Sequence, residues 1–322
     1  MAITRGEAPL PGSVIDGKYV LRDKLGEGGM GVVFLADQPA LARTVAIKIL
    51  HPQLMHHRDL VVRFREEAVA ASRVRHHGSV MILDRHQLPD GTPYIVMDHV
   101  RGRSLGRVIA DEPIAMPRAI ALVEQILDVL DAAHREGVVH GDVKSDNFLV
   151  DSAGDRDHVT MIDFGLARLV EIPTDRLLRT VVSGTPEYMA PEVVRGEPAL
   201  PASDLYGVGV ILYELLAGAT PFCGGPAAEV MTRQLDDIAI PPSLRQPDRD
   251  IPPELDRVVL RALAKHAADR FADAAEFSRA LRAATSGPQP VRLRPSDAVV
   301  DAIGHDEPTR SFVVRLRTRA AG

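Results

Sequence analysis

A chain of 322 residues with 45% apolar and 25% charged residues has the make-up of a globular protein, long enough for two domains or one two-lobed unit. Its 25 glycines and 24 prolines are scattered, which excludes collagen-like and low-complexity classes, and 38 basic against 44 acidic residues leave a net charge of −6, so no nucleic-acid partner is expected. Cys223 is the only cysteine, which excludes an internal disulfide and any site needing several thiolates and fits a reducing, cytoplasmic location.

From residue 18 to about 98, short apolar runs bounded by Gly, Pro or charged residues predict strands at 19–25, 32–36, 45–49, 81–84 and 94–97. One helix interrupts them at 58–75, where Leu60, Phe64, Ala68, Ala71 and Val74 fall near helical spacing. After the polar step at 101–104 the period changes to about 3.6. Ile120, Val123, Leu127 and Leu130 form one stripe, and 203–217, 253–264 and 272–283 also read as helices. Residues 1–20 lack an apolar core of signal-peptide length, and the most apolar stretch, 208–222, is broken by Glu214 and too short for a bilayer, so no membrane span is expected. Beyond Ala284 the composition turns linker-like, with a short alternating run at 312–317 that reads better as a chain end than as a strand.

The first chemical signal is GEGGMGVV at 26–33, where Gly26, Gly28 and Gly31 lie between two predicted strands and would let backbone amides approach phosphate oxygens. A dinucleotide site would need a helix after the glycines, whereas a second strand follows and then VAIK at 45–48. Gly12, Gly17 and Lys18 match a P-loop spacing, but Tyr19 stands where that loop needs a short hydroxyl. Further on come HGDVKSDN at 140–147 and IDFG at 162–165. Asp142, Asn147 and Asp163 put three oxygen-bearing side chains in two loops, joined by enough chain for a hairpin, and such ligands suit magnesium held jointly with phosphates.

With these motifs in this order, followed by Ala190-Pro191-Glu192, the chain resembles the eukaryotic-type (Hanks-type) protein kinase family, in particular its bacterial Ser/Thr members, over residues 18–281. The resemblance implies an α+β, bilobal protein kinase fold. Its parts would be an extension at 1–17, a sheet-rich N-lobe at 18–97, a hinge at 98–103, a mainly helical C-lobe at 104–282 and a tail at 283–322.

It further implies ATP and Mg2+ as cofactors and proteins with Ser or Thr, including this chain, as substrates. Lys48 would hold the α- and β-phosphates and pair with Glu67, or with Glu66 if that residue faces it. Asp142 would take the substrate proton, Lys144 would neutralise charge at the γ-phosphate, and Asn147 with Asp163 would hold the metal. Leu25, Val33, Ala46 and Leu149 would enclose adenine beside Met97 as gatekeeper, with the Asp98 carbonyl and Val100 amide as hinge bonds. Glu192 would pair with Arg270, and Asp204 would hold the backbone of the catalytic loop. Lys144 together with Thr185 implies Ser/Thr specificity.

Two departures stand out. Gly141 replaces the arginine that in regulated kinases binds a phosphate on the activation segment, so dependence on phosphorylation at Thr174, Thr180 or Ser183 is expected to be weak. Ser145 replaces the usual proline. HGD also resembles small-molecule (aminoglycoside or choline) phosphotransferases, which usually lack the Ala-Pro-Glu segment, and a pseudokinase scaffold is the other alternative. The pairs His56-His57 and His76-His77 read as surface residues on different helix faces rather than as metal ligands. Asp151, Asp155 and Asp157 read as a hairpin turn, and Cys223 as a bystander. In the tail, Thr309 after Asp306 and Glu307 is a candidate docking site for a phosphothreonine-reading partner.

Overall fold

Alternation of side chains along extended segments organises the first half of the protein, described here from a computed structural model whose described residues are 10–154, 156–163, 168–169 and 185–286. A six-stranded antiparallel sheet is formed by β1 (Val14–Ile15), β2 (Tyr19–Glu27), β3 (Gly31–Gln38), β4 (Arg43–Leu50), β5 (Ile82–Gln87) and β6 (Pro93–Asp98), in the order β1-β2-β3-β4-β6-β5. One helix, α1 (Arg58–Arg73), is inserted between β4 and β5. Along β4, Val45, Ile47 and Ile49 pack on one face with Phe34, Tyr94 and Val96. Ala46 and Leu50 pack on the other face with Phe64, Ala68 and Ala71 of α1. The period of two therefore puts Lys48 on the face that α1 covers.

The second half begins with β7 (Arg103–Ser104), α2 (Leu105–Asp111), α3 (Met116–Arg135) and β8 (Val138–Val139), followed by the hairpin of β9 (Phe148–Asp151) and β10 (His158–Met161) and by β11 (Arg168–Leu169). The helices α4 (Pro191–Val194), α5 (Pro201–Ala217), α6 (Ala227–Asp236), α7 (Pro242–Arg245), α8 (Pro253–Ala262) and α9 (Ala274–Ser286) complete it. Helix α5 is apolar around nearly its whole circumference and is accordingly buried, packed against α3 and α8. The two halves are joined beside the cleft: Val80 N–H donates to the Met161 carbonyl at 2.9 Å and Met161 N–H to the Gly78 carbonyl at 2.8 Å. This places the end of β10, and Asp163 after it, next to the sheet.

Most element boundaries shift by a few residues from the expected ones, α1 for one ending at Arg73. Residues 14–15, expected in an extension, pair with Val20 and Tyr19 as the sheet's edge strand. The fourth expected run, at 81–84, begins at Ile82 and continues to Gln87, and the last helix runs from Ala274 on to Ser286. The second compact unit, Gly287–Gly322, lies outside the described residues, and with it the alternating run at 312–317 and Thr309.

Candidate active site

Helical phase decides which glutamate meets Lys48. On α1 the buried positions are Phe64, Glu67, Ala68, Ala70 and Ala71, so Glu67 lies one turn from Phe64 on the inward face while Glu66 is exposed. Lys48 Nζ lies 2.6 Å from Glu67 Oε1 and 2.9 Å from Asp163 Oδ1, and Lys48 and Glu67 are 8% and 5% exposed. Burial alone would lower the Lys48 ammonium, but Asp163 and Glu67 outweigh it and hold its pKa above the ordinary lysine value. Burial pushes Glu67 up to about 7 against the pull of Lys48. For Asp163, burial acts upward, yet the Lys48 charge and hydrogen bond prevail and keep the carboxyl well below its usual range.

The segment 140–147 follows β8 and is suspended from the first turn of α5. The Asp204 carboxylate, 1% exposed, accepts from His140 N–H and Gly141 N–H, both at 2.8 Å, and lies 2.8 Å from His134 Nε2. Gly141 has φ +76°, in the left-handed region that glycine enters without steric cost. Asn147 Nδ2 donates to the Asp142 carbonyl at 2.7 Å, and Ile162 N–H donates to the Asn147 carbonyl at 3.0 Å, tying the two loops together. Lys144 Nζ bridges the Asp142 carboxylate at 2.9 Å and Thr185 Oγ1 at 3.3 Å.

Thr185 opens a segment clamped from below. Gln234 Nε2 donates to the carbonyls of Pro186 and Glu187 at 3.0 and 2.7 Å. Glu192 forms a two-pronged pair with Arg270, both contacts 2.7 Å, and accepts from Ser203 Oγ at 2.6 Å. Gln234 was absent from the candidate residues, although its spacing of four from buried Val230 marks it as inward-facing. The tie of Ser145 to Tyr188 was also missed, because residues 43 apart leave no local pattern.

Of the three loop glycines only Gly31 is required by packing, since a Cβ there would run into the Ile49 carbonyl. A Cβ at Gly26 or Gly28 would meet nothing within 4 Å, so the protein's own packing does not demand glycine at those positions. Ala46 faces Met97 across the β4–β6 ladder, and Val33 and Val100 pack against the same buried cluster. Leu25 is 48% exposed on β2, and Leu149 is half-buried on β9, in the three-stranded sheet β10-β9-β7. Asp98 ends β6, with its N–H given to the Met81 carbonyl at 3.0 Å. The carboxylates of Asp151 and Asp157 serve the β9–β10 turn, the latter paired with Arg118 at 2.7 Å; Asp155 lies outside the described residues. So do Phe164, Gly165, Thr174, Thr180 and Ser183.

Neither histidine pair lies on a helix with its two rings on different faces. His56 ends a 3-10 turn, His57 precedes α1, and His76 and His77 lie in the turn after α1 with ring centroids 4.2 Å apart. With Asp128, the latter two bring ligand-type atoms within 4.8 Å of one another. His76, however, accepts from Gly78 N–H at Nδ1 (3.0 Å), so Nε2 carries the proton and donates to Asp128 at 3.1 Å, leaving that ring no lone pair for a metal.

A buried lysine between two acids, facing a loop that carries Asp142, Lys144 and Asn147 between a sheet-rich half and a helical half, is an arrangement shared with known proteins. The protein kinase domain model matches residues 19–281, and the chain belongs to the protein kinase family. It is 41% identical over 277 residues to the serine/threonine-protein kinase pkn3 of Myxococcus xanthus, covering 84% of this chain and 51% of that one. It is 38% identical over 265 residues to the serine/threonine-protein kinase PknB of Mycolicibacterium smegmatis, covering 81% and 42%. The chain thus spans about half, or less, of the length of these curated relatives. Among solved structures, the kinase domain of Mycobacterium tuberculosis PknI is similar, with a TM-score of 0.65 at 29% identity over 86% of this chain and all of that one. Protein kinases as a family use ATP with Mg2+. The donor set here fits that ion: an ionised Asp163 carboxylate, and an Asn147 whose amide nitrogen is committed to Asp142, leaving its oxygen to accept a cation. No helix among the described residues is long and apolar enough to cross a membrane.

Proposed function

We propose that the chain is a serine/threonine protein kinase that transfers the γ-phosphate of ATP to Ser or Thr hydroxyls of proteins, itself included. The observation that carries this reading is the single constellation of Lys48 between Glu67 and Asp163 with Asp142 and Lys144 beside Thr185. In this reading Lys48 holds the α- and β-phosphates and Glu67 keeps it aimed. Gly26, Gly28 and Gly31 let the loop amides approach the phosphates, and Leu25, Val33, Ala46, Met97, Asp98, Val100 and Leu149 receive adenine. Asn147 and Asp163 hold the magnesium, which when bound neutralises phosphate charge. The Asp142 carboxylate accepts the hydroxyl proton as the substrate oxygen bonds to phosphorus and the bond to the ADP oxygen breaks. Lys144 compensates charge on the transferred group. The kinase domain is assigned to 18–282, with a hinge at 98–103 and a tail at 283–322, and the protein to the cytoplasm. With Gly141 in place of arginine, transfer depends little on phosphorylation at Thr174, Thr180 or Ser183. Thr309 is assigned as a tail site for a phosphothreonine-reading partner, and intact-mass analysis that leaves Thr309 bare while other sites fill removes that part.

The test is transfer from Mg-ATP to the chain itself and to a basic protein, with sites mapped by mass spectrometry and Asp142→Asn alongside. Labelled Ser or Thr that falls by about 10²- to 10⁴-fold in the variant supports the assignment of the base. ATP binding without any protein labelling overturns it. Turnover driven by added alcohols or aminoglycosides would then indicate a small-molecule phosphotransferase, and its absence a pseudokinase.

A further inference from the structure

Ser145 stands where the family pattern has proline, is 3% exposed, and lies with its Oγ 2.8 Å from the Tyr188 hydroxyl. Tyr188 donates its one proton to Glu214 Oε2 on α5 at 2.7 Å, since a carboxylate only accepts. The Ser145 hydroxyl is thereby placed to donate to the Tyr188 oxygen, beside the Glu214 carboxyl that both hydroxyls contact. A proline has no hydroxyl to place there. Adjacent residues of one loop thus hold two points of one segment: Lys144 reaches Thr185 at 3.3 Å, and Ser145 reaches Tyr188. Asp142, Thr185, Tyr188 and Met189 line one small cavity, so the segment held by these ties packs directly on the loop that carries Asp142. From the other side it is held by Gln234 on α6 and Glu214 on α5.

We propose that Ser145 is a positioning residue for the protein substrate, donating to Tyr188 and so fixing segment 185–189 relative to Asp142. This rests on the kinase reading, since it assigns to that segment the presentation of the substrate hydroxyl. Nucleotide binding is served by other residues, so the effect of losing the tie falls on one substrate only.

The test combines Ser145→Ala, Ser145→Pro, Tyr188→Phe and the double variant Ser145→Ala/Tyr188→Phe in steady-state transfer to a fixed peptide, with amide hydrogen exchange of each. Loss of one net hydrogen bond raises the peptide KM about two- to tenfold, with the ATP KM unchanged. Proline reproduces the alanine effect, and alanine adds less on top of Tyr188→Phe than it does alone, because the two variants share the Ser145–Tyr188 contact. The amides of Tyr188 and Met189, which donate to the Thr185 and Pro186 carbonyls, exchange faster in Ser145→Ala, with α3 unaffected. Equal shifts in both KM values, no shift in either, or additive single variants would overturn the proposal. If the unaltered chain transfers nothing to any protein, the kinase reading fails by itself. Exchange at Tyr188 and Met189 then still decides whether Ser145 holds the segment, and unchanged exchange overturns the positioning role.

Discussion

Arg270→Ala is the sharpest test of how the segment bearing Thr185 is held against α5. Arg270 is 2% exposed and spends its donors on Glu192 twice at 2.7 Å, on the Ala264 carbonyl at 2.8 Å and on the Ala202 carbonyl at 2.9 Å, with its plane 4.9 Å over the Tyr206 ring. Truncation leaves the Glu192 carboxylate buried with Ser203 as its remaining side-chain donor. Stranding one charge of such a pair costs about 3–5 kcal/mol, and at roughly 2–4 °C per kcal/mol for a domain of this size the midpoint falls by about 6–20 °C. The assay is paired urea and thermal unfolding of the unaltered and variant chains. Glu192→Leu with Arg270→Met recovers part of the loss, since no charge is stranded although the carbonyls still lose their donor. The pH dependence has a definite sign. Burial acts to raise Glu192, but the Arg270 and Ser203 hydrogen bonds prevail and hold it below the ordinary glutamate value. A carboxyl depressed in the folded state adds stability above its unfolded pKa and loses it as pH falls through the folded one. The gap between the two chains is therefore full at neutral pH and narrows on acidification below about 4.5, the unperturbed glutamate value. A loss under about 1 kcal/mol, the range of an exposed ion pair, or a gap that widens in acid, would refute the reasoning.

Four further variants have expected outcomes. Gly31→Ala forces apart the backbones of β3 and β4 and costs about 1–3 kcal/mol of stability, whereas Gly28→Ala leaves stability unchanged or slightly raised and weakens ATP binding, read by calorimetric titration of nucleotide against each variant. Gly141→Arg places a side chain at φ +76° and costs about 1–2 kcal/mol in unfolding experiments, while joint alanine substitution of Thr174, Thr180 and Ser183 leaves transfer intact; loss of transfer with ATP binding retained would disprove the expected independence.

The parts of the fold legible in the sequence are those where burial imposes a period. In VAIK and the residues after it, a continuous apolar run interrupted by one lysine describes a strand covered on both faces, and α3 and α5 follow from apolar stripes of helical spacing. The expected strand at 81–84 is shorter than β5 because the second half of β5, Arg85, His86 and Gln87, is polar and exposed at the sheet edge, where no buried face enforces alternation. His76 and His77 misled for the opposite reason. The helical period was carried past Arg73, where α1 ends and the chain turns to meet β10.

The candidate site was legible to the extent that its charges must be buried. A lysine in an apolar strand and a glutamate in phase with Phe64 and Ala71 each need a partner, and the cheapest arrangement is to supply it to each other. Glycine spacing carried less information than it seemed to, because Gly31 answers to the Ile49 carbonyl while Gly26 and Gly28 answer to no protein atom. What no local pattern contains is how the segment after Thr185 is aimed. Ser145, Tyr188, Glu214 and Gln234 come from four parts of the chain, and each is unremarkable alone. Their meaning arises only when α5 has formed, because α5 carries Asp204, which suspends the loop of Asp142, and also Glu214, which holds Tyr188. One buried helix thereby sets both sides of the gap that the kinase reading assigns to the substrate hydroxyl, so a change at either of its two acids is expected to misalign that gap before it unfolds the protein.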